Sequence, residues 1–192
     1  GETVTRDYVL TGSEYALPAS GEEGKLVLYK TEDGTYYGSG EKIVVSGNKY
    51  LTAENKIAYA MENGAYIRVN EPTGIKFCTE IESSALTDNV KVGIKLTRNN
   101  SSVPFYIEGK IYSEENGVRK YSYALVDIDE ANYNTEFTAT AYIEINGKKI
   151  YLETSVNRSI AYTAYLIKTS EGYETSFKSE QKAVVEKYAS YY

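Results

Sequence analysis

Two runs of alternating apolar and polar residues flank an Asn-Gly pair, and this pattern constrains the fold more than any other in the chain. Alternation with a period of two is typical of a β-strand that buries one face. Asn146-Gly147 is a strong signal for a tight turn between antiparallel strands. We therefore predict a β-hairpin over residues 136–156. The apolar positions of its first strand are Phe137, Ala139, Ala141, Ile143 and Ile145.

The length of the turn decides which residues pair across this hairpin. A two-residue loop at Asn146-Gly147 sets Ile143 opposite Ile150. The same loop sets Tyr142 opposite Tyr151. A four-residue loop shifts the pairing by two residues and leaves the same faces buried, because side chains alternate between the faces of a strand. The sequence leaves both registers open.

The rest of the chain predicts further short strands, with helix confined to the C-terminus. The predicted strands include residues 26–29, 66–69, 75–81, 90–96, 103–112 and 121–128. Residues 1–54 are too few to bury much of a core alone. We predict a mainly β (α+β) fold, in which residues 1–54 are a small N-terminal module and residues 55–192 a larger antiparallel β domain with C-terminal helices.

Two helices are predicted after the hairpin. Ser179 is a candidate N-cap for the last helix. Its apolar stripe comprises Val184, Val185, Tyr188, Ala189 and Tyr192. Residues 159–168 favour a second helix, but Tyr162, Thr163 and Tyr165 also suit a strand, and periodicity leaves the two open.

The composition excludes several kinds of chemistry. The chain has 21 tyrosines and no histidine, so it lacks an ordinary Ser-His or Cys-His nucleophile and any histidine metal ligand. Cys78 is the only cysteine, which rules out an internal disulfide and a thiolate metal site. We expect Cys78 to pack as a small apolar residue. No cofactor and no metal site are predicted, although calcium bound through backbone carbonyls stays open.

The charge distribution restricts the partners. The formal net charge is −6, and lysine and arginine are spread singly rather than clustered. Nucleic acid is therefore not an expected partner, and neither is an anionic membrane surface. The chain has no apolar run of about 18 residues, so no membrane insertion is predicted.

The N-terminal part carries a recognisable order of residues. Leu28-Tyr29 is followed by Tyr36-Tyr37-Gly38, by the segment from Gly40 to Gly47, and by Leu51-Thr52-Ala53. This order resembles the internalin-type β-grasp repeat of bacterial surface proteins, which implies a β-grasp-like module at residues 1–54. The chain departs from the usual pattern because Leu28-Tyr29 stands where that family has a tryptophan.

A second resemblance covers most of residues 60–192. Its motifs are Ala65-Tyr66-Ile67-Arg68, residues 71–77, Leu125-Val126-Asp127-Ile128 and Arg158-Ser159-Ile160-Ala161-Tyr162. They resemble a domain recurrent in large cell-surface proteins of gut Firmicutes. The resemblance implies an exported, cell-wall-associated polypeptide with neighbouring domains, and it carries no catalytic residues to this chain.

Carboxylates are the remaining candidates for catalysis. Asp127, Asp129 and Glu130 follow a predicted strand. A glycoside hydrolase needs two carboxyl groups at a set separation around a sugar, and closeness in sequence does not provide that geometry. A solvated turn is the alternative. Asp127 and Asp129 also lack the later acidic position and glycine of an EF-hand calcium loop. We assign no catalytic residues.

Four tyrosines fall on the polar faces of predicted strands. Tyr106 and Tyr112 alternate with apolar residues over residues 103–112, and Tyr142 and Tyr151 do so in the hairpin. If these strands are neighbours, the four form an aromatic platform that stacks on sugar rings or contacts a partner protein. The alternative is cross-strand pairing that only stabilises the sheet. Tyr106, Tyr112, Tyr142 and Tyr151 are the predicted ligand-binding residues.

These observations predict a non-catalytic module of a secreted or wall-associated bacterial protein, acting as a spacer or in adhesion. The expected partners are a glycan or a host or cell-surface protein. A carbohydrate-binding module that uses the exposed tyrosines is the alternative function, and a carboxylate-based glycosidase is a third candidate.

Overall fold

The computed structural model describes residues 7–86 and 90–192. It is mainly β, with antiparallel sheets followed by helices at the C-terminal end, which confirms the predicted fold class. The strands are β1 (Glu14–Ala16), β2 (Lys25–Thr31), β3 (Tyr36–Gly38), β4 (Lys42–Val44), β5 (Leu51–Met61), β6 (Tyr66–Arg68), β7 (Gly74–Glu82), β8 (Val90–Arg98), β9 (Ser101–Glu108), β10 (Lys110–Glu115), β11 (Val118–Val126), β12 (Phe137–Ile145) and β13 (Lys148–Arg158). The helices are α1 (Ile160–Lys168), α2 (Tyr173–Ser176) and α3 (Ser179–Ala189).

The strands form three sheets within the described residues. The largest has the order β10-β11-β7-β5-β2-β3, and β6 also pairs with β7. The second has the order β13-β12-β8-β9, and β1 pairs with β4 in a small third sheet. Buried residues of the two larger sheets and of α1 and α3 belong to one hydrophobic cluster, so these elements share a core.

The predicted boundary between residues 1–54 and 55–192 falls inside β5. The first part of β5 pairs with β2, and its last three residues, from Tyr59 to Met61, pair with β7. Strands from both predicted segments therefore belong to one sheet. Residues 7–54 form β1 to β4 and the beginning of β5, without a helix in that range. The two-part division and the β-grasp resemblance stay predictions about the sequence.

The hairpin forms as predicted, with β12 and β13 joined at Asn146-Gly147. Both turn residues have positive φ angles, 53° and 80°, as a two-residue hairpin turn of type I′ requires. Ile143 lies opposite Ile150, and Tyr142 lies opposite Tyr151. This register is that of the two-residue loop. Further along, the register shifts between Thr140 and Tyr142, and β13 carries the extra residues of the resulting bulge.

The prediction of a single strand over residues 103–112 is wrong, because Gly109 divides it between two sheets. β9 pairs with β8 in the four-stranded sheet, whereas β10 pairs with β11 in the larger one. A Cβ atom at Gly109 would lie 2.7 Å from Cδ1 of Tyr121, closer than side chains approach. Only glycine therefore fits where the chain crosses from one sheet to the other.

Polar contacts join the two larger sheets, one of them buried and the others at the sheet margin. The Tyr59 hydroxyl, which is buried, donates to the backbone carbonyl of Tyr142 at 3.0 Å. At the sheet margin, the Lys148 ammonium donates to the Tyr36 carbonyl at 2.6 Å and forms an ion pair with Glu41 at 2.9 Å. Because an unpaired buried hydroxyl or carbonyl is costly, the contact of Tyr59 fixes how the sheets meet.

The helices confirm one prediction and correct another. Residues 160–168 are helical, and Ser159 is the N-cap, since its Oγ accepts from the Tyr162 amide at 3.1 Å. The prediction of Ser179 as an N-cap is wrong: Ser179 is the first helical residue of α3, and Lys178 holds the cap position. The Gln181 side chain accepts from the Lys178 amide at 3.0 Å and so starts the helix one residue earlier. Within the described ranges, no helix is long and apolar enough to cross a membrane.

Candidate binding surface

Three of the four predicted tyrosines lie together on the outer face of the four-stranded sheet. The ring centroid of Tyr142 is 6.0 Å from that of Tyr106 and 5.7 Å from that of Tyr151. Both pairs meet edge to face, the arrangement that the ring quadrupoles favour. We call this region the tyrosine surface. It comprises Lys95, Tyr106, Tyr142, Lys149 and Tyr151.

Tyr142 lies in the middle of the tyrosine surface and supports it rather than presenting itself to solvent. It is 4% exposed, so its ring is covered although it stands on the polar face of its strand. The reason is Gly93, its neighbour on β8. A Cβ atom at Gly93 would lie 2.4 Å from Cζ and from Oη of Tyr142. The ring therefore lies down over the glycine, between the two outer tyrosines.

Tyr106 and Tyr151 are the accessible aromatic residues of the tyrosine surface. Tyr106 is 49% exposed, and Tyr151 is half-buried. Both stand on a hydrogen-bonded sheet and are held by contact with the buried ring between them. Two rigid rings on a flat support provide contact area at a small cost in conformational entropy.

Lysine side chains lie against these rings. Lys95 Nζ is 5.0 Å from the Tyr151 ring centroid, and Lys149 Nζ is 5.3 Å from that of Tyr106. These separations are in the range of cation–π attraction. Lys149 also pairs with Glu144 at 2.7 Å, whereas Lys95 has no ion pair within the described part of the chain. Within the described residues, the ammonium of Lys95 thus contacts the Tyr151 ring without a carboxylate partner.

The protonation of the tyrosine surface follows from this packing. Burial raises the pKa of Tyr142, and burial with the adjacent Tyr106 hydroxyl raises the pKa of Tyr151. The hydrogen bond from Lys149 lowers the pKa of Glu144. Tyr142 and Tyr151 therefore remain neutral hydrogen-bond donors at neutral pH, and the charges beside them are those of the two lysines and of Glu144.

Tyr112 does not share the face of the other three tyrosines. It lies in β10, in the other large sheet, where its hydroxyl donates to Glu62 at 3.2 Å. Tyr66 donates to the other oxygen of Glu62 at 2.5 Å, and Lys76 lies 5.9 Å from the Tyr112 ring centroid. The hydrogen bond to Glu62 and partial burial raise the pKa of Tyr66 to about 12. Glu62 thus links Tyr66 of β6 with Tyr112 of β10, and these contacts stabilise that sheet.

Cys78 lies beneath this second group of side chains. It is buried, and burial raises the pKa of its thiol. A thiol with a raised pKa is a poor nucleophile at neutral pH. The structure therefore agrees with the expectation that Cys78 packs as a small apolar residue.

The acidic group after β11 lies in a turn. Asp127 has a φ angle of 54°, and Glu130–Asn132 forms a short 3₁₀ turn, in which the Asp129 carbonyl accepts from the Asn132 amide at 2.8 Å. Across residues 7–86 and 90–192, no cluster of three or more acidic or cysteine side chains has metal-binding geometry. The hydrogen bonds seen here are those of a turn.

Lys95 and Lys149 of the tyrosine surface, and Gly93 beneath it, are residues that the sequence analysis did not identify. Alternation along β13 places Lys149 on the same face as Tyr151, so the sequence of this strand alone could have indicated that Lys149 belongs to the surface. The positions of Gly93 and Lys95 beside the tyrosines depend on the pairing of β8 with β12. These two strands are about 45 residues apart in sequence, and the local residue pattern does not indicate that they pair.

The chain matches no protein-family model, and no curated protein resembles it at a significant level.

Proposed function

We propose that this chain is a non-catalytic interaction module of an exported bacterial surface protein, and that the tyrosine surface contacts a protein on a cell. The support for the surface context is the sequence resemblance of residues 28–53 and 65–162 to modules of such proteins. The observation that carries the interaction role is the half-exposed Tyr106, braced by the buried Tyr142 on a rigid sheet.

The chemistry of the tyrosine surface favours a partner that bears carboxylates. Tyrosine rings are enriched in protein interfaces because each joins a large apolar area to a polar tip. The ammonium groups of Lys95 and Lys149 lie beside the rings. Lys149 is already paired with Glu144, so an acidic side chain of a partner would pair with Lys95. Such complementary charges steer the encounter and set its orientation more than they add affinity.

Carbohydrate binding is the second candidate. The observation that favours it is the exposure of the Tyr106 ring, since an open aromatic face on a β-sheet can stack on a sugar. The lysine against that ring argues for the protein partner instead, because it occupies part of the area that an apolar sugar face would cover.

Binding of the fluorescently labelled chain to intact bacterial and epithelial cells tests both candidates. Tyr106→Ser should reduce binding about tenfold, a loss of about 1.4 kcal/mol. Tyr112→Ser is a matched control, because Tyr112 is also 49% exposed but lies outside the tyrosine surface. Protease treatment of the cells should abolish binding, and periodate oxidation of their glycans should not. The reverse pattern would favour carbohydrate, and equal binding by both variants would refute a role for the surface.

A further inference from the structure

A cavity of about 410 Å³ opens beside the N-terminus of α1, away from the tyrosine surface. It lies where the ends of β8, β12 and β13 meet the helix. Its lining residues are Asn99, Asn134, Glu136, Ser159, Tyr162 and Tyr192. The lining thus combines two aromatic rings with two amides, a carboxylate and a hydroxyl.

The aromatic wall of the cavity is only partly covered. The ring centroids of Tyr162 and Tyr192 are 5.0 Å apart, and those of Tyr165 and Tyr192 are 4.8 Å apart. Arg158 lies 5.9 Å from the Tyr162 ring centroid. Tyr192 itself is 65% exposed. Contacts with Tyr162 and Tyr165 therefore hold the ring of Tyr192, and most of its side chain remains accessible to a ligand.

The polar residues of the cavity keep free hydrogen-bonding capacity. Asn134 donates its amide to the Tyr191 carbonyl at 2.6 Å, which leaves its side-chain oxygen as an acceptor. One carboxylate oxygen of Glu136 accepts from Asn157 at 3.2 Å, and the other is available. Within the described residues, the side-chain amide of Asn99 makes no hydrogen bond. Donors and acceptors thus stand side by side, as a ligand with several hydroxyl groups requires.

We propose that this cavity binds one sugar residue of a neutral glycan. The open face of Tyr192 stacks on the apolar face of the sugar ring, and Asn99, Asn134 and Glu136 bond its hydroxyl groups. The carboxylate of Glu136 disfavours an acidic sugar by charge repulsion. This site is separate from the proposed protein contact, because it uses none of the residues of the tyrosine surface.

Two-dimensional amide NMR of the labelled chain tests the site. The probes are glucose, galactose, mannose and N-acetylglucosamine, short oligomers of glucose and N-acetylglucosamine, and glucuronic acid as an acidic comparison. We expect a neutral sugar to shift the amide signals of Asn99, Glu136 and Tyr192 with millimolar affinity, as one exposed stacking contact allows. The signals of Tyr106 and Tyr151 should stay in place.

Variants assign the binding to the cavity. Tyr192→Ala should weaken it about tenfold or more, and Asn99→Ala several-fold, while Tyr106→Ser should leave it unchanged. Tyr192 and Asn99 are exposed, so an unchanged amide spectrum elsewhere will show that the variants fold. Shifts by no neutral sugar, stronger binding of glucuronic acid, or affinity unchanged in Tyr192→Ala would each overturn the proposal. None of these outcomes bears on the cell-binding test of Tyr106.

Discussion

Replacing Gly93 with alanine tests how Tyr142 is held on the tyrosine surface. The new Cβ atom would lie 2.4 Å from the Tyr142 ring, and the ring has little room to move because it contacts Tyr106 and Tyr151. Overpacking of this kind costs about 1–3 kcal/mol. The loss of glycine's flexibility in the unfolded chain offsets about 0.5–1 kcal/mol. We therefore expect Gly93→Ala to lower the free energy of unfolding by about 1–2 kcal/mol.

The same substitution should change the free energy of unfolding in the opposite direction when the Tyr142 ring is absent. In a Tyr142→Ser background the methyl group meets no ring, so only the effect on the unfolded chain remains. Gly93→Ala should then raise the free energy of unfolding by about 0.5–1 kcal/mol. The two results give a coupling energy of about 2 kcal/mol between the positions, within the usual range for residues in contact.

Urea unfolding of the four proteins, followed by far-UV circular dichroism, measures this double-mutant cycle. The midpoint should fall in Gly93→Ala and rise when the change is made in Tyr142→Ser, with the slope unchanged throughout. An equal effect of Gly93→Ala in both backgrounds would refute the reasoning, because the contact between the ring and position 93 would then carry no energy.

Three further predictions concern stability. Tyr59→Phe should lower the free energy of unfolding by about 1–3 kcal/mol in urea melts, because it leaves the buried Tyr142 carbonyl without its donor; an unchanged midpoint would contradict this. The pKa of Tyr66 is raised from 10.0 to about 12, chiefly by its hydrogen bond to Glu62. The contribution of the Tyr66 hydroxyl to the free energy of unfolding is therefore complete below pH 10 and is lost as the pH rises towards about 12. In Tyr66→Phe the free energy of unfolding should fall less steeply between pH 10 and about 12 than in the unaltered protein. The same pH dependence in both proteins would contradict this prediction. Ser159→Ala should cost about 1 kcal/mol through loss of the α1 cap, whereas Ser159→Asp should restore stability.

Local patterns were sufficient to predict much of the fold. The period of two and Asn146-Gly147 fixed the hairpin, and one of the two registers left open is the one observed. Ser159 caps a helix that periodicity alone could not distinguish from a strand. The strand predicted over residues 103–112 failed because the need for glycine at position 109 comes from Tyr121, a residue of another strand. Contacts of that kind depend on which strands become neighbours, and alternation does not encode this.

The candidate site could be predicted only in outline. Alternation correctly placed Tyr106, Tyr142 and Tyr151 on one outer face, since side chains two residues apart point the same way. It could not separate Tyr112 from them, because the chain changes sheets at Gly109. It also could not reveal that Tyr142 is buried, because the space for its ring comes from Gly93 on a strand distant in sequence.

Site-specific photo-crosslinking tests the central claim most directly. A photoreactive phenylalanine analogue is placed at position 106 in one protein and at position 112 in another, and each is irradiated on intact cells. Both positions are equally exposed, so nonspecific crosslinking from chance collisions should be equal at positions 106 and 112. We predict a discrete protein adduct from position 106, which is lost when Lys95 is changed to Glu, and no adduct from position 112. Equal adducts from the two positions, or none from position 106, would contradict the assignment of the tyrosine surface as the site of interaction.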